Sequence, residues 1–313
     1  MTDQPDDPEA EALPGESGLA DLTSERRQLL RLAYRLLGST ADAEDVLQET
    51  YVRWYSLSPS ARDAVRSPGA WLTTVASRIC LDMLGSARVR RERYVGAWLP
   101  DPLPGRANPL HGPSTAAAVD PAEHVSLDES VHMALLVVLD SLTPPERVSF
   151  VLHDVYRYPF ADVAEIVGRT PEACRQLATS ARRRITAART PPTPTREQFA
   201  VIRAFKHAWE AHDIPALVEL LDPHATAVAD GGGRVTAELL PVTGAARIAE
   251  ILNSVTAASP HLTLTEQTVN GQPGLVGLEA GVATTVIAFD IAHGAILSLW
   301  VMRNPDKLKL WRN

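Results

Sequence analysis

FADVAEIVGRTPEACRQLATSARRRITAA, residues 160–188, holds two apolar stripes of helical period separated by a turn signal. Phe160, Val163, Ala164 and Val167 recur at the three- and four-residue spacing that lines one face of a helix. Gly168 stands where a left-handed residue ends a helix, and Thr170-Pro171 supplies a cap followed by proline at the first helical position. Cys174, Leu177, Ala178, Ala181 and Ile185 then make the buried stripe of a second helix. This is the punctuation of a helix-turn-helix. The stripe leaves Arg175, Gln176, Thr179, Arg182 and Arg183 outward. Arginine pairs with guanine edges, glutamine with adenine, and threonine contacts the thymine methyl. A recognition helix reads bases with its N-terminal residues, so Arg175, Gln176 and Thr179 are expected on bases, and Arg169, Arg182 and Arg183 on phosphates. A solvated basic face is the bland alternative, and the cap, the glycine turn and the opposed faces together favour DNA.

Working outward, residues 128–189 read as one helical module. Val131, Leu135 and Val138 mark a helix, and Thr143-Pro144 with Glu146 caps another that buries Val148, Val151, Leu152 and Val155. Residues 25–94 read as an earlier module. Leu29, Leu32, Ala33 and Leu36 form a first stripe that stops at Gly38; Ser39 with Asp42 opens a second helix with Ala43, Val46, Thr50 and Trp54 inward and Asp45, Gln48 and Glu49 together on the other side. Ser67-Pro68 starts a third, whose stripe Leu72, Val75, Ala76, Ile79 and Met83 runs into the cluster Arg78, Arg88, Arg90, Arg91 and Arg93. Between the modules, residues 95–127 hold six prolines and read as a linker. Residues 1–24 read as a disordered acidic tail, and 190–195 as a stiff Pro-rich hinge. Residues 196–313 read as an α+β domain: helices around Phe199, Ile202, Phe205 and Trp209, from Ile214 to Leu221 and from Ala245 to Val255, and strands Leu262–Val269, Leu275–Glu279, Val282–Ile291 and Ile296–Met302 separated by Asn270-Gly271, Gly281 and His293-Gly294.

The formal net charge of −8 argues against nucleic acid until its distribution is read, because residues 1–25 contain eight acids and no Lys or Arg. The remaining chain is nearly neutral with two basic clusters. Cys80 and Cys174 sit on separate helices without ligand spacing, so they read as core residues, with no disulfide framework and no metal site. No long apolar run and no basic-then-apolar leader is present, and a cytoplasmic address without membrane contact is expected.

The segment DAEDVLQET at 42–50 followed by Arg53-Trp54 resembles the DAED-x-x-QE helix of sigma domain two, and Pro68-Gly69-Ala70-Trp71-Leu72 with its arginine-rich continuation resembles the segment that melts and reads the promoter minus-ten element. Residues 128–188 resemble sigma domain four. No domain three intervenes, so the chain is identified as similar to extracytoplasmic-function sigma factors. The WLPDP segment at 98–102, DGGG at 230–233 and NPDKL at 304–308 resemble those members with a SnoaL-like, nuclear-transport-factor-2-like extension. The expected fold is therefore multidomain, two all-α sigma domains followed by an α+β SnoaL-like domain with a curved antiparallel sheet.

The resemblance implies these roles. Asp45, Gln48 and Glu49 would bind the clamp of the largest polymerase subunit, with the flap as the second contact on core RNA polymerase. Arg78, Arg88, Arg90 and Arg91 would hold minus-ten DNA, and Arg175, Gln176, Thr179, Arg182 and Arg183 the minus-thirty-five element. The loop Ser56 to Arg66 occupies the place of base capture, and Trp71 is expected in the core. Trp98, Leu99, Pro100, Asp230, Gly231, Gly232, Gly233, Asn304, Pro305, Asp306 and Lys307 would make a regulatory contact in cis, with Trp98 anchored in a pocket of the C-terminal domain. The Asp230–Gly233 run reads equally as a close approach to the linker or a plain turn. A monomer with no cofactor is expected, and a small-molecule ligand in the C-terminal cavity is allowed. The competing reading is a helix-turn-helix regulator fused to an isomerase-like domain that uses Asp230, Asp290, His207, His224 or His261 as acid or base.

Overall fold

The computed structural model describes residues 16–92, 94–105, 132–188, 190–191, 193–235 and 241–312, without the side chains of 16–24 and 87–92. The first module is α1 (Glu16–Leu37), α2 (Thr40–Tyr55), the short α3 (Pro59–Asp63) and α4 (Pro68–Glu92). Helix α1 starts at Glu16, inside the segment expected to be a disordered tail. Acidic residues suit the first turns of a helix, where the dipole favours negative charge, so composition alone misjudges this boundary. Ser39 caps α2 through a bond from the Asp42 amide, as its spacing requires. The expected loop 56–66 contains α3, capped by Ser58 with Pro59 at its start.

The second module is α5 (Met133–Asp140), α6 (Pro144–Phe150) continued by a π-helical turn (Val151–Val155), α7 (Phe160–Val167) and α8 (Pro171–Ala188). Thr143 and Glu146 form a capping box, and Gly168 ends α7 in the left-handed region at φ 68. Leu135 and Val138 were the expected core positions of α5. Met133, Leu136 and Leu139 are the buried ones instead, and Val131 lies outside the described residues. The helix is apolar all round, so periodicity could not choose its face; it serves two cores, Leu136 and Leu139 facing the helices and Met133 with Ala134 and Val137 facing the C-terminal sheet.

The C-terminal domain comprises α9 (Thr195–Glu210), α10 (Ile214–Leu220), β1 (Leu221–Asp230), β2 (Val242–Thr243), α11 (Ala245–Ala258), β3 (Thr263–Val269), β4 (Gln272–Glu279), β5 (Val282–Ala292) and β6 (Ala295–Met302). The sheet order is β2-β1-β6-β5-β4-β3, antiparallel except for the β1–β6 pair. Leu221, expected as a helix end, begins β1, which lies next to the edge strand β2 and pairs with β6 in parallel. Alternation divides the sheet cleanly. Leu275, Ile287, Phe289 and Leu299 face α9, α10 and α11, whereas Val276, Val286, Ala288, Trp300 and Met302 face α5 and the linker.

The two helical modules do not sit apart as the Pro-rich linker between them suggested. Their apolar residues form one continuous core. Three arginines stitch the junction: Arg35 Nη1 donates to Tyr156 Oη at 2.6 Å, Arg147 Nη1 to the Leu36 carbonyl at 2.9 Å, and Arg78 Nη2 to the Glu165 carbonyl at 3.0 Å. Arg147 is buried, which pulls its guanidinium down to about 10, and Asp140 accepts its second donor at 3.0 Å.

Residues 98–105, read as linker with Trp98, Leu99 and Pro100 expected to contact the C-terminal domain, are an extended strap buried between the first module and that domain. Prolines leave carbonyls without competing N–H groups, and those carbonyls are taken: Tyr34 Oη donates to Asp101 O at 2.7 Å and Trp311 Nε1 to Pro102 O at 2.8 Å. Asn270, read as a turn residue, is one at φ 51, and it also exchanges bonds with Leu103 through its backbone N–H and side-chain oxygen while Nδ2 donates to Tyr34 Oη at 2.9 Å. Burial raises the Tyr34 phenol, keeping it a donor at neutral pH. Tyr34→Phe removes the hydroxyl that donates to the buried Asp101 carbonyl and accepts from Asn270 Nδ2. It is expected to cost about 1–3 kcal/mol, read as a lower urea midpoint for the full chain.

Candidate functional site

Four sites carry the expected residues. On α8, Arg175, Gln176 and Arg183 are exposed, and Thr179 is half-buried with its hydroxyl on the Arg175 carbonyl at 2.8 Å. Arg175 lies over the Phe160 ring, 5.3 Å from its centroid, which orients it at the helix-turn-helix surface. Arg182 stands differently. It grips the Asp154 carboxylate bidentately at 2.6 and 3.2 Å, and Asp154 is buried, so this arginine locks α8 onto the π turn.

On α2, Asp45, Gln48 and Glu49 are exposed together, with Glu49 paired to Arg53 at 2.8 Å. Beside them Val52 is 59% and Tyr55 61% exposed, and a shallow groove runs past Gln48, Tyr51 and Val52 to Tyr55. Exposed apolar groups contiguous with an acidic face mark an interface. The sequence reading missed Val52 and Tyr55, although they follow Gln48 by four and seven residues, the spacing of one helix face.

On α4 the expected minus-ten residues diverge. Arg78 is turned to α7, as above, while Arg88, Arg90 and Arg91 lie on the helix with side chains outside the described residues. Trp71, expected in the core, is half-buried at its edge and packs on Trp54 with ring centroids 5.1 Å apart.

The fourth site is the latch where the strap meets the C-terminal domain. Asp230, at the end of β1, has no exposed surface. Its Oδ1 accepts from Tyr94 Oη at 2.6 Å and the Gly232 N–H at 3.0 Å; its Oδ2 accepts from the Leu99 N–H at 3.0 Å and Lys307 Nζ at 2.9 Å. Lys307 Nζ also donates to the Leu99 carbonyl and lies 4.2 Å from the Trp98 ring centroid. Asn304 Nδ2 donates to Tyr94 Oη at 2.8 Å, and Asn304 Oδ1 accepts from the Asp306 N–H at 3.0 Å. Burial and the neighbouring Asp230 push the Tyr94 phenol up, so it remains a donor.

The three short motifs of the sequence thus converge on one carboxylate. Asp230–Gly233 is both a turn, with the Arg234 N–H on the Gly231 carbonyl at 3.1 Å, and a close approach: Gly232 and Gly233 have positive φ, and a Cβ would strike Asn304 at the first and Val95 of the linker at the second. Gly231, Pro305 and Asp306 are framework for these contacts, Asp306 pairing with Arg234 at 3.2 Å on the surface. Trp98 is not seated in a C-terminal pocket. It is half-buried between the Lys307 ammonium and Gly38, where a Cβ would come within 2.9 Å of the ring. Pro100 covers the same glycine, and Leu99 is the side chain that plugs into the C-terminal sheet. Asp101 crosses to the first module, its Oδ2 accepting from the Thr40 amide at 2.8 Å and hydroxyl at 2.9 Å. Burial holds the Asp101 carboxyl above its ordinary range. Tyr94 escaped the sequence reading, which quoted Asp101 only as part of the WLPDP segment and Asn270 only as a turn residue.

The residues considered for acid–base chemistry are scattered. His207, His224 and His261 are exposed on α9, on β1 and before β3, and the Asp230 carboxylate is fully engaged. Among the described residues no cluster of metal-ligating side chains occurs, and no helix is long and apolar enough to cross a membrane.

Residues 22–90 match the family Sigma-70 region 2, and residues 132–185 match Sigma-70, region 4. The chain is 38% identical over 295 residues to the ECF RNA polymerase sigma factor SigJ of Mycobacterium tuberculosis, covering 90% of each. It is 34% identical over 286 residues to the probable ECF RNA polymerase sigma factor SigI of the same species, covering 90% of this chain and 92% of the relative. The crystal structure of Mycobacterium tuberculosis SigJ is similar with a TM-score of 0.71 and 32% identity, covering 93% of this chain and 98% of that one.

Lys307→Met removes the cation from a carboxylate that water cannot reach. The expected cost is about 3 kcal/mol, in the range for breaking a buried pair. Hydrogen exchange should show it as lost protection at the Leu99 amide, with the α10 and α11 amides unchanged.

Proposed function

The chain belongs to the extracytoplasmic-function family of RNA polymerase sigma factors, which bind the core enzyme and direct promoter recognition, and from that premise we propose that its C-terminal domain restrains sigma activity in cis. The observation that carries this reading is the Asp230 latch. One buried carboxylate, on a domain beyond both sigma modules, ties down the strap that joins them.

Geometry gives the restraint a mechanism. Elements centred near minus ten and minus thirty-five are separated by about 25 base pairs, or about 85 Å of B-form duplex at the usual rise. Packed helices lie within about 10 Å of each other. Modules that share one core, with Arg78 of α4 on the α7 backbone, therefore cannot occupy both elements of one duplex. The modules must part, and parting breaks the strap and the α5–sheet contact. The C-terminal domain makes the closed arrangement costlier to leave, and core polymerase supplies the opposing binding energy.

In the open complex Arg175 and Gln176 read minus-thirty-five bases, with Thr179 beside them and Arg183 on phosphate. Arg182 acts chiefly by fixing α8 through Asp154. Asp45, Gln48 and Glu49, extended by Val52 and Tyr55, dock on the polymerase clamp, and the second module meets the flap. Arg78, released from Glu165, joins Arg88, Arg90 and Arg91 at minus-ten DNA. The free chain is a monomer, because the sheet face that a second copy would cover is already occupied by Leu99, Met133 and Leu308.

Run-off transcription with core RNA polymerase tests the reading. Initiation should require this chain, and Lys307→Met should raise it several-fold while leaving core binding intact. A truncation after Thr195 should also change initiation. If neither variant differed from the full chain, regulation by the C-terminal domain would be wrong.

A further inference from the structure

A cleft of about 440 Å3 opens where the start of α5, the end of α8, the hinge and the sheet meet. Met133, Leu135 and Val138 of α5, Ile185 of α8, and Ala288 and Ile291 of β5 give it apolar walls. Its lining comes from both the second helical module and the C-terminal domain, so the cleft exists only while the two are docked. Thr195 and Gln198 of α9 also line it, whereas α10 and α11 contribute nothing.

One carboxylate borders this space. Asp290 accepts a bond from the Thr190 hydroxyl at 2.8 Å and has no Lys, Arg or His within ion-pair distance among the described residues. Asp290 is half-buried, whereas Asp230 and Asp154, which are fully buried, each have a cation. Burial keeps the Asp290 carboxyl above its ordinary range, the state an adjacent cation would relieve. A half-buried carboxylate that has no cation among the described residues, beside apolar walls, selects a ligand with a charged head and an apolar body.

We propose that this cleft binds a small organic cation, an amine or amidine on an apolar body of about ten to twenty heavy atoms, with its head on Asp290 and its body between α5 and β5. Such a ligand binds the docked arrangement and not the parted one, and so stabilises it. That consequence rests on the closed state proposed above, whereas binding itself does not.

Calorimetry on the full chain with 4-phenylbutylamine, 4-phenylbutan-1-ol and 4-phenylbutanoate tests the site. The amine should bind once per chain, about tenfold tighter than the alcohol, with the carboxylate weakest. Asp290→Asn should erase the preference for the amine, and Ala188→Trp, at an exposed rim position, should block all three. Equal affinity for amine and alcohol, a preference that survives Asp290→Asn, or no amine binding to the unaltered chain would each overturn the proposal. If Asp290→Asn lost its native circular dichroism, Ala188→Trp would decide, since undiminished amine binding there also overturns it. Amine binding that left initiation unchanged in run-off transcription would support the cleft and count against the closed-state reading.

Discussion

A carboxylate cut off from water must be met by donors, and Asp230 is met by four: a phenol, two backbone amides and an ammonium. Few groups in the molecule are more demanding, because each donor left out exposes a buried charge to a medium that solvates it poorly. The donors come from residues 94, 99, 232 and 307, so satisfying one side chain brings three distant stretches to a point. The glycines at 232 and 233 and the Asx turn at Asn304 follow from this demand. They let backbone and side chains approach closely enough for the bonds to form.

The strap extends the same logic to the first module. Leu99 faces the C-terminal sheet, Asp101 faces the start of α2, and Leu103 is held by Asn270, which also holds Tyr34. An extended Pro-rich segment can alternate partners this way because it has no internal hydrogen bonds to protect. Helix α5 does for the second module what the strap does for the first, with one face in the helical core and the other on the sheet.

The helix-turn-helix was legible because its signals are local: a period, a glycine, a cap. The same holds for α2, where Ser39 and the acidic face announced themselves within one turn. The latch was half legible. Asp230–Gly233 and Asn304–Lys307 stood out as motifs, yet nothing within them says that Tyr94 and Leu99 are the donors. Trp98 misled for a physical reason, since a large aromatic ring looks like an anchor whereas its place beside Gly38 depends on a residue sixty positions away. Asn270 shows the limit most clearly, because an Asn-Gly pair fully explained by a hairpin turn conceals a second task. The joint core of the two helical modules could not be read at all, for it needs the solvent-facing side of each helix to be known in advance.

The strap lies early in the chain and its partners late. Leu99 precedes Lys307 by 208 positions. At a synthesis rate of about 5–20 residues per second, roughly 10–40 s separate the appearance of the two on the ribosome. Throughout that interval the nascent helical modules and the strap exist without the Asp230 and Lys307 contacts that hold the strap in the folded chain.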